Sequence, residues 1–169
     1  MHSAELLRYA FDQLNGTLHR ALDGLGPEEL SRRPGPGANP IAWLAWHLLR
    51  VQDDHVAAVA GHEQVWTADG WADRFGLPLE ASATGYGFTA EQVDAVRVPS
   101  VALLLDYADA VTARTVGFLD DLSDDDLDRV VDESYDPPVT LGVRLASVLS
   151  DDLQHVGQAA YLRGLLRDS

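Results

Sequence analysis

Near the C-terminal end, Asp151, Asp152 and His155 set two carboxylates and an imidazole at helical spacing, the chemistry of metal ligation. Asp151 and His155 are one turn apart and about 40° apart around a helix, so both side chains reach one point beside it. Asp152, three residues before His155, permits the same, and the sequence leaves open which carboxylate is the ligand. A further donor must come from elsewhere, and Trp43-Leu44-Ala45-Trp46-His47 supplies it. On a helix opening at Pro40, Trp43, His47, Val51, Asp54 and Ala58 fall within roughly 40° of His47, which turns that imidazole toward apolar neighbours. Two His and a carboxylate from facing helices leave coordination positions for water or substrate, the arrangement of a catalytic rather than a closed structural site. The plainer alternative is that these imidazoles are core residues satisfied by their neighbours, with solvated carboxylates beside them.

Other chemistry is sparse. His2, His19, His55 and His62 read as surface or loop residues; His55 lies two turns beyond His47 but about 80° round the wheel. Arg50 and Asp54 share the helix of His47 and read first as a surface pair, second as contacts to the site or its substrate. There is no Gly-rich phosphate loop after a strand, no Gly-x-Ser-x-Gly and no evident Ser triad.

Four long apolar-periodic segments must position these residues. Ser3 can cap the first, whose apolar face runs through Leu6, Leu7, Phe11, Leu14, Leu18 and Leu22 to near Gly24. A short helical turn follows at residues 26–30, then a loop dense in Pro and Gly. Asn39 as N-cap and Pro40 as first helical residue open the second helix, which continues to Ala60. Residues 61–99 form a long crossover with short helices expected at Gly70–Phe75 and Thr89–Val96. Trp66, Trp71, Phe75, Tyr86 and Phe88 give it apolar surface to pack as a lid. Pro99-Ser100 starts the third helix, which ends near Leu122. A capped turn at 123–127 and an extended connection at 130–139 lead to Thr140, which caps a fourth helix running to the end. The expected fold is all-α, a four-helix bundle with a long crossover between helices 2 and 3, forming one domain over residues 1–169.

Composition narrows the partners. The 169 residues carry 27 acidic against 12 basic side chains, a formal charge of −15, with no basic cluster, which disfavours nucleic acid. The absence of Cys removes disulfides, thiolate-ligated zinc and a cysteine nucleophile, so any metal must sit on His, Asp or Glu. No signal-peptide pattern opens the chain and no apolar run is long enough to span a membrane, so a cytoplasmic protein without membrane partners is expected.

Three stretches carry a likeness to a known family: residues 43–50 (Trp43-Leu44-Ala45-Trp46-His47-Leu48-Leu49-Arg50), residues 71–77 (Trp71 to Leu77), and residues 153–164 (Leu153-Gln154-His155 to Gly164). Across nearly its whole length the chain resembles the DinB-like superfamily, which includes the mycothiol-dependent maleylpyruvate isomerases and the bacillithiol transferases, and within it the actinobacterial branch. The resemblance implies a four-helix bundle, often a homodimer, with a divalent metal at one end: zinc first, with nickel, iron and manganese as alternatives. Its usual ligands are one His from the second helix and two His at i, i+4 on the last. His47 and His155 fall on the first and third of these, and Asp151 stands where the pattern has His. That exchange lowers the site's charge by about one unit and makes a bound metal a weaker Lewis acid.

The activity implied is a metal-dependent transferase or isomerase in which a mycothiol-like low-molecular-weight thiol attacks a small electrophile. The thiol would supply the nucleophile that a chain without Cys lacks. The alternative is a non-catalytic stress protein of the same fold that binds a metal or a small molecule.

Overall fold

The structure is a computed structural model that describes residues 1–167. Its frame is four long helices: α1 (Ser3–Leu22), α3 (Ile41–Ala60), α7 (Val101–Asp120) and α8 (Leu141–Arg167). Between α1 and α3 lies the short α2 (Pro27–Ser31); the crossover holds α4 (Val65–Ala68), α5 (Trp71–Phe75) and α6 (Ala90–Ala95). α3 packs on α8 and α7, and α1 packs on the same two helices. The all-α bundle with its long second crossover is therefore the observed fold.

Local chemistry explains the helix boundaries. Ser100 accepts from Leu103 N at 3.2 Å, capping the helix expected to start at Pro99-Ser100, and Thr140 accepts from Val143 N at 3.4 Å, the expected cap of α8. Two starts move by one residue. His2, not Ser3, is the N-cap of α1, its backbone N–H donating to Glu5 at 2.9 Å, while Ser3 N donates to Asp124 on a distant turn. Pro40 stands at the N-cap of α3 with an extended ψ of 161°, so the helix begins at Ile41. Gly61, with φ of 74°, stops α3 in the left-handed conformation.

Two further elements differ from expectation. α4 was not anticipated; a four-residue helix carries too little periodicity to read. The segment expected to be merely extended pairs with itself: β1 (Val130–Asp132) and β2 (Val139–Thr140) form a small antiparallel ribbon closed through a cis Asp136–Pro137 bond. The aromatic crossover does pack: the rings of Trp66, Trp71 and Phe75 each meet Tyr107 of α7 at 5.3–5.7 Å between centroids, tilted or edge-on, and Trp66 meets Phe75 at 5.1 Å. Tyr86 is the exception and stands in solvent.

On α8 the core seam runs through Leu145, Val148, Asp152, Val156 and Ala159, placing one carboxyl among apolar side chains. Neither oxygen of Asp152 has a hydrogen-bond partner, and burial, followed by the charge of Asp151, pushes its pKa well above 3.8. A raised folded-state pKa gives stability that is fully present below the unfolded value of 3.8 and is lost as pH rises toward the folded value. Asp152→Asn removes this linkage. Its stability relative to wild type, measured by urea unfolding, is expected to rise as the pH is raised from about 3.5 to about 7; a pH-independent difference would contradict the account.

Candidate metal centre

His47 is buried on α3, and the first feature to fix it is a hydrogen bond from Nδ1 to the carbonyl of Thr84 in the crossover. A carbonyl only accepts, so Nδ1 carries the proton and Nε2 keeps a lone pair. The Trp43 ring stacks on the other side at 4.4 Å between centroids and 17° between planes. Burial is the main influence on His47 and lowers its pKa from 6.5, which keeps the imidazole neutral and able to ligate.

From α8, one turn apart, come Asp151 and His155. Nδ1 of His155 donates to Gln158 Oε1 at 3.0 Å, so this ring also presents Nε2 as its lone-pair nitrogen. That atom lies 3.7 Å from Asp151 Oδ1, too far for a hydrogen bond. The rings of His47 and His155 meet edge to face at 4.9 Å. One donor atom from each of His47, Asp151 and His155 lies within 4.8 Å of the others. Asp151 Oδ2 is shielded from solvent and has no partner.

These tautomers leave an electron-rich set: two imidazole lone pairs and a carboxylate face one another with no proton between them. Such an arrangement is repulsive until a cation occupies it, and the donor types suit zinc or another first-row divalent ion. The outer hydrogen bonds, Thr84 behind His47 and Gln158 behind His155, are the kind that fix ring orientation in metal sites. Of the two carboxylates the sequence left open, the structure brings Asp151 to the cluster and sends Asp152 into the core.

The cluster faces a cavity of about 410 Å³ with Trp43, Val51, Val148 and Tyr86 among its lining residues. His55 also lines it, contrary to its reading as a surface residue, because the space between α3 and α8 is wide enough to take in a side chain well round the wheel from His47. The surface-pair reading of Arg50 and Asp54 is likewise corrected. Arg50 is fully buried and paired with Asp53 at 3.5 Å, while Asp54 accepts from Gln64 at 2.6 Å.

Asp53, unnoticed in the sequence, accepts from Val65 N and Trp66 N at 2.8 Å each and from Tyr107 Oη at 2.9 Å. Arg50 donates to the carbonyls of Ala83 at 3.2 Å and Ala81 at 3.5 Å. The signal was present: an i, i+3 charge pair of opposite sign within a largely apolar helix. His2, His19 and His62 sit away from the cavity, His19 held by Asp109 at 2.8 Å.

A helical bundle with a His, Asp, His cluster beneath a crossover loop defines a class of protein with inward-facing candidate metal ligands on two helices. The chain belongs to the DinB superfamily, whose family model matches residues 10–159. It is similar to a conserved protein of Enterococcus faecalis known from a crystal structure, at 30% identity and a TM-score of 0.93, over 100% of this chain and 99% of that one. No curated protein matches it.

Gly85 connects the loop to the site. Its φ is +96°, and a Cβ there would lie 2.8 Å from His47 Nδ1, 3.1 Å from the Trp46 ring and 3.3 Å from the Trp43 ring. Gly87, with φ of +70°, has open space around it. Gly85→Ala is therefore expected to cost about 3 kcal/mol or more and to change the tryptophan fluorescence, whereas Gly87→Ala costs only the backbone term of about 1–2 kcal/mol. Equal effects in denaturant titrations would show that the loop does not press on His47.

Proposed function

We propose that this chain, as one domain, is a divalent-metal-dependent thiol transferase or isomerase with His47, Asp151 and His155 as ligands. The observation that carries the reading is that His47, Asp151 and His155 bring donor atoms within 4.8 Å of one another on the wall of a cavity of about 410 Å³, with Nδ1 of both rings engaged and Nε2 of both left unprotonated. Members of the superfamily often bind divalent metals, which supports the same assignment.

When bound, zinc supplies a Lewis-acid position that favours the thiolate form of a low-molecular-weight thiol such as mycothiol. The chain's own residues do the rest. His47 and His155 hold their lone pairs in place through Thr84 and Gln158, and Asp151 adds the negative charge that matches a dication. Trp43, Val51 and Val148 give the cavity an apolar wall for a small electrophile. Three protein ligands leave room for the thiol, and the chain contains no Cys to compete with it. A homodimer in the cytoplasm completes the proposal; among the described residues no helix is long and apolar enough to cross a membrane.

Calorimetric zinc titration of the untagged protein tests the reading. Stoichiometric uptake is expected, weakened by more than about 100-fold in His47→Ala and His155→Ala, since even outer-shell losses typically cost 10–100-fold. Asp151→His, which restores three imidazoles, should retain uptake. Zinc-loaded protein should then consume mycothiol in the presence of a haloalkyl bimane electrophile. Metal uptake without thiol consumption, whichever of the four metals is loaded, would leave the non-catalytic binding protein; absence of uptake would remove the metal reading itself.

A further inference from the structure

The cavity holds a third imidazole whose hydrogen bonding is opposite to that of the other two. Arg144 on α8 donates from Nη1 to His55 Nδ1 at 3.0 Å. A guanidinium only donates, so Nδ1 must accept and the ring proton of neutral His55 lies on Nε2. Asp132 in β1 holds Arg144 through Nη2 at 2.9 Å and is itself bonded to Ser134 at 2.6 Å. The ribbon thus sets the arginine, and the arginine sets the histidine. Burial first, then the charge of Arg144, lowers the His55 pKa from 6.5, which keeps this ring neutral.

We propose that His55 is the specificity residue of the cavity, donating Nε2–H to the carbonyl oxygen of an uncharged, carbonyl-bearing small molecule bound there. The inference rests on the proposed function and names the chemical class of the small molecule that the cavity takes. His47 and His155 keep Nε2 bare for a cation, while His55 keeps Nε2 protonated, so one cavity has a ligating end and a donating end. The two positions on α3 are eight residues apart, about 12 Å along the axis. Val51 stands between them in sequence and lines the same space, as does Val148 from the facing helix.

Charge decides between a carbonyl and a carboxylate. The guanidinium behind His55 is already matched by Asp132, and Asp54 and Asp151 both act on the ring with negative charge. A carboxylate would meet no uncompensated cation there, whereas a neutral acceptor needs only the N–H.

Three measurements decide the matter. Long-range proton–nitrogen spectra of nitrogen-15-labelled protein at about pH 8, where unperturbed imidazoles are neutral, should show His55 protonated on Nε2 and His47 on Nδ1. Arg144→Met should release His55 into a tautomer mixture. In zinc titrations His55→Leu should bind as wild type does, unlike His47→Ala; a loss matching that of His47→Ala would make His55 a ligand and overturn the proposal.

Zinc-loaded protein is then titrated with N-acetyl aminoalkanethiols of graded chain length and with alkanethiols of equal length. At the best length the carbonyl should add about three- to tenfold in affinity, the yield of one hydrogen bond. That gain should vanish in His55→Leu and persist in His55→Asn, which keeps an N–H donor. A proton on Nδ1 of His55, or a carbonyl gain that is absent in wild type or survives His55→Leu, overturns the inference. Failure of wild type to take up zinc would instead remove the proposed function, with the His55 tautomer still read directly from the spectra.

Discussion

One turn of α3 holds the crossover in place, and the candidate metal centre depends on it. Arg50 and Asp53 form a buried pair at 3.5 Å, with both side chains almost wholly out of solvent. Isolated, either charge would be prohibitively costly in that position. Each is satisfied by backbone: Asp53 caps the first turn of α4, and Arg50 takes the carbonyls of Ala81 and Ala83. Tyr107 of α7 joins them, donating to Asp53, and burial followed by the Asp53 charge raises its pKa well above 10.0. The pair therefore ties two distant points of the crossover and a third helix to one site on α3.

The cluster follows from that attachment. With Ala83 anchored to Arg50, the next carbonyl, Thr84, falls on His47 Nδ1, and Gly85 can lie against the rings of Trp43, Trp46 and His47. A loop bond thereby selects the tautomer of a proposed ligand. On α8 the same selection is local, because Gln158 is close enough along the helix to serve His155. In His55 the choice is reversed by an arginine from the facing helix, so the bundle rather than the imidazole itself determines which nitrogen is available.

Much of the frame was readable before folding. Periodic apolar positions marked the four long helices, since burial of one stripe is what holds a helix in a bundle. Ser100 and Thr140 marked two starts because their hydroxyls can take an orphan N–H. Boundaries slipped by one residue at His2 and Pro40, where backbone geometry and long-range bonds outweigh side-chain preference. The β1–β2 ribbon escaped notice because so short a pairing leaves no alternation to detect.

By itself, the sequence determined the four-helix frame, the absence of any thiol from the chain, and the one-turn spacing that lets Asp151 and His155 reach a common point. These are properties of residue type and helical period, both local. Only the tertiary structure placed Asp151 beside His47 and His155 and Asp152 in the core, because that depends on which side of α8 meets α3 and which is buried. It also buried Arg50 with Asp53 and brought His55 into the cavity. Those outcomes depend on contacts between groups 12 to 89 residues apart in sequence, from Asp53 with Val65 to His55 with Arg144, and no helical wheel records what faces it across a bundle.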